Sequence, residues 1–211
     1  MSDQKHANTS PRKRTGKEAL IQAGLDLMSE HGAERLSLRQ CAARAGMSHA
    51  APSHHFGGLA GLKQAVVAEG FRQFKTCLQD ALKDAGNDPL VRLKTICRTY
   101  IRFALARPAL FKEMFALNLH DIQPGRVDAH IVDAWEVFHT HCAPFERPGL
   151  PIEVIETQVR SFLQGYTRIA LTGQFGPPSD DGLPEGPLEE VMAMLDHLQP
   201  TPDCPPGPVR A

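Results

Sequence analysis

Nowhere in its 211 residues does the chain sustain a long apolar run. The longest stretches, such as Ile101 to Leu110 and Ala65 to Ala68, are broken by Arg or Glu far short of the ~20 residues a membrane span needs. A transmembrane helix and a membrane partner are therefore not expected. Met1 to Thr15 carries Lys5, Arg12, Lys13 and Arg14, but no apolar segment with a small-residue cleavage site follows, so the stretch does not read as a secretory signal and a cytoplasmic protein is expected. The five cysteines, Cys41, Cys77, Cys97, Cys142 and Cys204, are odd in number, widely spaced and without a Cys-x-x-Cys, which fits idle thiols rather than a disulfide framework or a zinc-cysteine site. Also missing are a Gly-rich phosphate loop, a Gly-x-Ser-x-Gly elbow and a His-Glu-x-x-His run, so the sequence supports no enzyme and implies no cofactor. No stretch shows strand alternation and no fixed-period repeat is present, which leaves an all-helical protein.

What is present starts with an average composition. Hydrophobic residues make up 42% and charged residues 22%, which excludes a collagen, a coiled-coil rod or wholesale disorder. At ~150 residues per domain the length allows one domain, or a small one fused to a larger. The net charge of -1 hides an asymmetry: residues 1–58 hold eight Lys/Arg against five Asp/Glu, or +3, leaving -4 for the rest. A basic head on an acidic body predicts that one end meets a polyanion.

Helical periodicity and stop signals then divide the chain. Lys17 to His31 repeats Leu20, Ala23, Leu27 and Met28 at helical spacing before Gly32. Ser37 with Gln40 three places on forms a capping-box pattern for a short second helix. Gly46 is placed to turn the chain and Ser48 to cap a third helix, which Pro52 requires to be short and to begin nearby. Longer helices follow over 59–85, 89–107, 108–119, 127–142, 152–172 and 185–198. Gly173 to Gly186, rich in Gly, Pro and Asp, is expected to be a mobile loop, and the Pro-rich end a disordered tail.

Helix, Gly-turn, helix over Ser37 to His55 is the pattern of a helix-turn-helix, in which the second helix enters a major groove. That pattern predicts phosphate contacts from Ser37, Arg39 and the helix-start amides. Base-edge contacts are predicted from His49, Ser53 and His54, and Arg12, Lys13 and Arg14 form a flexible arm. A short helix pair behind a solvated basic tail remains the alternative.

The residues carrying this pattern are Leu20-Ile21-x-Ala23-Gly24-x-x-Leu27-Met28-x-Glu30-x-Gly32, then Ser37-x-x-x-Cys41-Ala42-x-x-Ala45-Gly46-Met47-Ser48, then Pro52-x-x-His55-Phe56. Over residues 14 to about 74 they resemble the TetR family of bacterial transcriptional regulators. The resemblance implies an N-terminal three-helix helix-turn-helix DNA-binding domain at 14–74 behind a basic arm at 1–13. It implies a C-terminal helical ligand-binding and dimerisation domain at 75–199, ahead of the tail 200–211, pairing through its last two long helices. The implied partners are a double-stranded DNA operator, a second copy of the chain as homodimer, and a small-molecule effector; most such proteins are repressors. Carried over by position, Ser37 and Ser48 are helix caps, His49 to His54 with Ala50 the recognition helix, and Phe56 the aromatic that packs it, with His55 facing inward or toward the fourth helix. Two positions depart from the pattern: Ser53 stands where a Tyr is usual, and Leu59 where a phosphate-contacting Lys is usual. The second half is similar to a subgroup with a Trp-x-x-Val-His-Gly signature, here Arg160 to Gly165 with Arg160 for Trp and Gln164 for His.

An effector pocket is expected among Phe103, Phe111, Met114, Phe115, Trp135, Phe138, Phe162 and Tyr166, with His120, His139 and Gln164 as polar anchors, although for any one large residue a place in an ordinary core is the commoner outcome. Such a set predicts an apolar ligand with few hydrogen bonds. Glu136-x-x-His139 has the spacing of a carboxylate-bridged metal site, but no second copy is present, and the pair fits a solvated helix face. Two other readings stay open: a helical ligand-binding dimer without operator binding, and a metal-dependent helical enzyme around Glu136 and His139.

Overall fold

The computed structural model describes residues 15–116, 129–177, 179–184 and 186–201. Arg12, Lys13, Arg14, His120 and nearly all of the expected tail lie outside the described residues. Among the described residues there is no strand, only an isolated antiparallel bridge between Arg147 and Leu150. The chain divides between Val66 and Val67 into two compact units.

The first unit holds α1 (Gly16–His31), α2 (Leu38–Arg44), α3 (Ala51–Phe56) and the start of α4 (Leu59–Lys83). Thr15 and Glu18 form a full capping box at the head of α1, satisfying two otherwise unpaired amides. Leu20, Ala23, Gly24, Leu27 and Met28 make the buried stripe of this helix. A Cβ on Gly24 would stand 2.7 Å from Val66 Cγ2, so the glycine sets how closely α1 and α4 approach. Ser37 caps α2 as expected, accepting from the Gln40 N–H at 3.3 Å, but Gln40 completes the pair differently: its side-chain oxygen accepts from the Ser37 hydroxyl at 2.8 Å.

At the far end of α2, Gly46 has φ +66°, Met47 N–H donates to Ala42 O at 2.9 Å and Gly46 N–H to Ala43 O at 3.2 Å. These two bonds are a Schellman ending, which needs a residue at ease in the left-handed region. The third helix then departs from expectation. Its N-cap is Ala50, without a side-chain hydrogen bond, and Ser48 contributes only its carbonyl, to Ala51 N–H at 3.0 Å. The helix thus begins later than a Ser48 cap predicts, which keeps Pro52 in the first turn, where its missing amide costs no helical bond.

The second unit holds the remainder of α4, α5 (Pro89–Ala106), α6 (Pro108–Phe115), α7 (Ala129–Cys142), α8 (Ile152–Leu171) and α9 (Leu188–Met192). Helix α5 is central and packs on α6, α7 and α8. Its core is aromatic: Phe74 lies 5.7 Å from Tyr100 and 5.0 Å from Phe103, and Tyr100 lies 5.3 Å from Phe111, ring centre to ring centre. A Cβ on Gly70 would come within 2.9 Å of Met114 Sδ, so α4 and α6 also meet through a glycine.

Two expectations for the end of the chain are corrected. The last helix is not a long one over 185–198 but five residues of α9 followed by a 3-10 turn, Ala193–His197. Met192, Leu195 and Leu198 are all buried and three apart, the period that a 3-10 turn keeps on one side. Nor is the segment after α8 free. Ser179 N–H donates to Leu183 O at 2.7 Å, Arg102 Nε to Asp181 O at 2.6 Å, and Arg98 forks onto the Glu189 carboxylate at 2.6 and 2.9 Å. Lys94 pairs with Asp196, so α5 presents a cation every fourth residue to hold this strap.

Candidate functional site

The first candidate surface is α3 with its lead-in turn. Ser48, His49 and Ala50 are exposed in the turn, and Ser53, His54 and His55 are exposed on the helix itself. His49 and Ala50 therefore precede the helix, although they share its open side. Pro52 is the buried member, and Gly57, with φ +69°, ends the helix through its N–H to Ser53 O at 2.8 Å. The next glycine contact is the tightest in the unit: a Cβ on Gly61 would lie 2.0 Å from Phe56 O. Backbone thus fixes where α3 stands against α4.

Of the two placements expected for His55, inward or toward the fourth helix, the inward one is corrected. His55 is exposed, near the head of α1, where a Cβ on Gly16 would lie 3.6 Å from its Nε2. Gly16 offers no side chain to bury it. Phe56 is half-buried as the packing aromatic, with Lys17 Nζ 5.9 Å from its ring centre. Arg39 is exposed on the first turn of α2 with no carboxylate partner among the described residues, whereas the Ser37 hydroxyl is engaged by Gln40 on both sides. Arg44 is spent on a bidentate pair with Glu30 at 2.6 Å, which raises its own affinity for the proton and lowers that of Glu30. The exposed face of α3 therefore carries imidazoles and a hydroxyl but no fixed cation, and Leu59 at the start of α4 is exposed and apolar.

The second candidate is a cavity of about 370 Å³ in the second unit, between α5, α7 and α8. Of the eight expected pocket residues it is lined by Trp135 and Phe138, with the expected anchor His139 beside them. Phe103, Phe111 and Met114 are buried in the aromatic core instead, and Phe115 packs against Phe111 and Trp135. Phe162 and Tyr166 belong to a separate cluster closed by Phe175, and the neighbouring Tyr166 Oη and Thr167 Oγ1 are buried with no hydrogen-bond partner among the described residues.

Residues the sequence did not single out complete the lining, among them Tyr100, Cys142, Glu156, Val159 and Arg160. Their signal was present only in part: Val159 and Leu163 lie four apart on the buried face of α8, but nothing local marks Arg160 as a wall. The Arg160 guanidinium stands 4.6 Å above the Trp135 ring, and His139 Nδ1 meets Glu156 Oε1 at 2.8 Å. Gln164 Nε2 donates to Tyr100 Oη at 2.8 Å. Burial raises the Tyr100 hydroxyl well above its usual range and pushes the Cys142 thiol up to about 12, which makes Cys142 a poor nucleophile at neutral pH. His139 is thus engaged by Glu156, and no group of three or more His, Cys, Asp or Glu able to hold a metal occurs among the described residues. No helix among them is long and apolar enough to cross a membrane.

Comparison with known proteins bears on both surfaces. Residues 20–66 match the family model for bacterial regulatory proteins, tetR family, and residues 93–195 the model for the tetracyclin repressor-like, C-terminal domain. The chain belongs to the TetR family. It is a TetR-family transcriptional regulator.

Among solved structures, a protein of unknown function from Rhodococcus sp. RHA1 is similar over 90% of this chain and 96% of its own, at 25% identity and a TM-score of 0.66. A TetR family transcription regulator from Marinobacter aquaeolei VT8 is 18% identical over 85% and 92% of the two chains, with a TM-score of 0.58. The TetR family transcriptional regulator PfmR from Thermus thermophilus is 19% identical over 91% and 100%, with a TM-score of 0.54. No curated protein matches the chain. Within this TetR fold the two departures from the subgroup signature both have work at the cavity: Arg160 lines it, and Gln164 holds the hydroxyl of Tyr100, which lines it too.

Proposed function

We propose that this TetR-family regulator is a homodimeric repressor that grips a palindromic operator and releases it when a small molecule fills the cavity. The observation that carries the reading is the joint exposure of His49, Ala50, Ser53 and His54 around a helix whose position is fixed by the Gly46 turn and the Gly61 contact. An imidazole both donates and accepts, and a hydroxyl does the same, so this face suits hydrogen bonding to base edges in a major groove. Phosphate contacts fall to Arg39, to the helix-start amides and to the arm at Arg12, Lys13 and Arg14.

Two such helices in a dimer must sit about 34–36 Å apart, or a multiple of that, to enter grooves on one side of the duplex. Exposed Val154 and Ile169 lie on one side of α8, where a second copy would pack, with little help from the five-residue α9. Helix α4 is continuous from the first unit into the second and is the natural carrier of the response. A ligand that favours a dimer with a different groove spacing costs DNA affinity, and by linkage DNA costs ligand affinity equally.

Ser53 and Leu59 favour a second reading, a ligand-binding dimer without operator binding, because α3 and the head of α4 then lack their usual phosphate contacts. Selection of random duplexes by the purified protein at moderate salt separates the two. The repressor enriches a palindrome, and its affinity falls with salt by about 0.9 log units per log unit for each phosphate contacted. No enrichment, with no binding even at low salt, contradicts the proposal and favours the second reading.

A further inference from the structure

We infer that the cavity takes an organic anion: a medium-sized molecule with an apolar body and one carboxylate, the carboxylate held by Arg160 with the Tyr100 hydroxyl as second donor. The inference rests on the ligand-responsive reading above and names the chemistry of its ligand, adding a charged head to the apolar ligand with few hydrogen bonds that the sequence suggests. Trp135, Phe138, Val159 and Leu163 supply apolar wall for the body. At about 370 Å³ the space lies near the lower end of the ~300–1,000 Å³ range of small-molecule sites, which suits an aryl or short alkyl acid rather than a peptide or a long lipid.

The charges decide the sign. Arg160 is exposed and has no carboxylate within ion-pair distance among the described residues, and its guanidinium stands 4.6 Å from the centre of the Trp135 ring, so its N–H groups can serve a planar acceptor. Its charge reaches the interior, where it opposes the effect of burial on both Tyr100 and Cys142. Tyr100 Oη accepts from Gln164, and its own hydrogen has no acceptor among the described residues, so it is free to donate. The Glu156 carboxylate is hydrogen-bonded to the His139 ring at 2.8 Å, which engages one of its oxygens away from Arg160. Glu136 is exposed and has no ion-pair partner among the described residues, and both carboxylates of the lining work against an anion. A cationic ligand meets a different obstacle: the face of Trp135, the best π-surface in the cavity for a cation, already carries Arg160.

The chain has one tryptophan, so Trp135 emission reports this cavity without a label. The test uses the full chain with three matched probes, 4-butylbenzoate, 4-butylbenzyl alcohol and 4-butylbenzylammonium. The benzoate is expected to shift Trp135 emission saturably and to bind about tenfold tighter than the alcohol, with the ammonium weakest, because a charge-assisted fork is about twice as strong as a neutral hydrogen bond. Variants are read by calorimetry, since removing the guanidinium alters Trp135 emission itself. Arg160→Gln is expected to weaken the benzoate about tenfold and the alcohol less than about twofold, whereas Glu136→Gln tightens the benzoate about twofold.

An alcohol or ammonium that binds as tightly as the benzoate overturns the inference. So does a benzoate whose affinity ignores Arg160→Gln, or a failure of all three probes to bind. A benzoate that fills the cavity without weakening DNA binding leaves this inference standing and contradicts the release step; release by a cation does the reverse.

Discussion

Each of the two units is ordered within itself by a different means. In the first, position is set by backbone: the Thr15 and Ser37 caps, the left-handed Gly46 and Gly57, and a Gly61 that lets α4 touch the carbonyl of Phe56. In the second, position is set by side chains, through the ring cluster of Phe74, Tyr100, Phe103 and Phe111 and the ion pairs that fasten the terminal strap to α5. On the proposed reading, a surface presenting His49, Ser53 and His54 at fixed places gains from the first kind of construction, because hydrogen-bonded turns allow few alternatives. On the same reading, a unit that opens a space for a ligand gains from the second, because packed rings can shift among rotamers.

That contrast can be broken at either end. The largest effect is expected from Gly61→Ala, whose Cβ would meet Phe56 O at 2.0 Å. Overpacking against backbone should destabilise the first unit by about 3 kcal/mol, measured by urea unfolding, and abolish DNA binding while Trp135 emission stays native. Tyr100→Phe removes the acceptor of Gln164 and should cost about 1.5 kcal/mol, this time visible in Trp135 emission. Ser37→Ala loses the α2 cap and should cost about 1 kcal/mol.

Arg98→Ala breaks a partly exposed pair with Glu189 and should cost under about 1 kcal/mol, less still in high salt. The smallest effect is one of pH. Burial lowers the proton affinity of His141, so between its ordinary value near 6.5 and its lowered folded value the unfolded chain binds more protons. Stability should be fully present above pH 6.5 and decline as pH falls below it, and His141→Asn should flatten that slope in thermal unfolding.

How legible each unit was in the sequence follows from the same contrast. Ser37, Gly46 and Pro52 act on their immediate neighbours, so their spacing alone placed α2, the turn and a short α3. Ser48 misled because the helix begins only after Ala50, which keeps Pro52 in the first turn, where its missing amide costs no helical bond. The cavity was less legible. Periodicity shows that Phe111, Met114 and Trp135 face inward, but not that only the last borders a gap, since a void is a property of three helices at once. Arg160 and Glu156 were unreadable for a related reason: an ion on a helix face usually meets solvent, and only the approach of α7 turns this part of α8 into a wall.

On the proposed function, the first unit reads DNA under the control of the second. The affinity of the intact protein for its enriched duplex, measured with the Trp135 cavity empty and then saturated, tests that coupling. Saturation is expected to weaken the duplex, and the duplex to weaken the ligand by the same factor. Equal affinities with the cavity full and empty would contradict it.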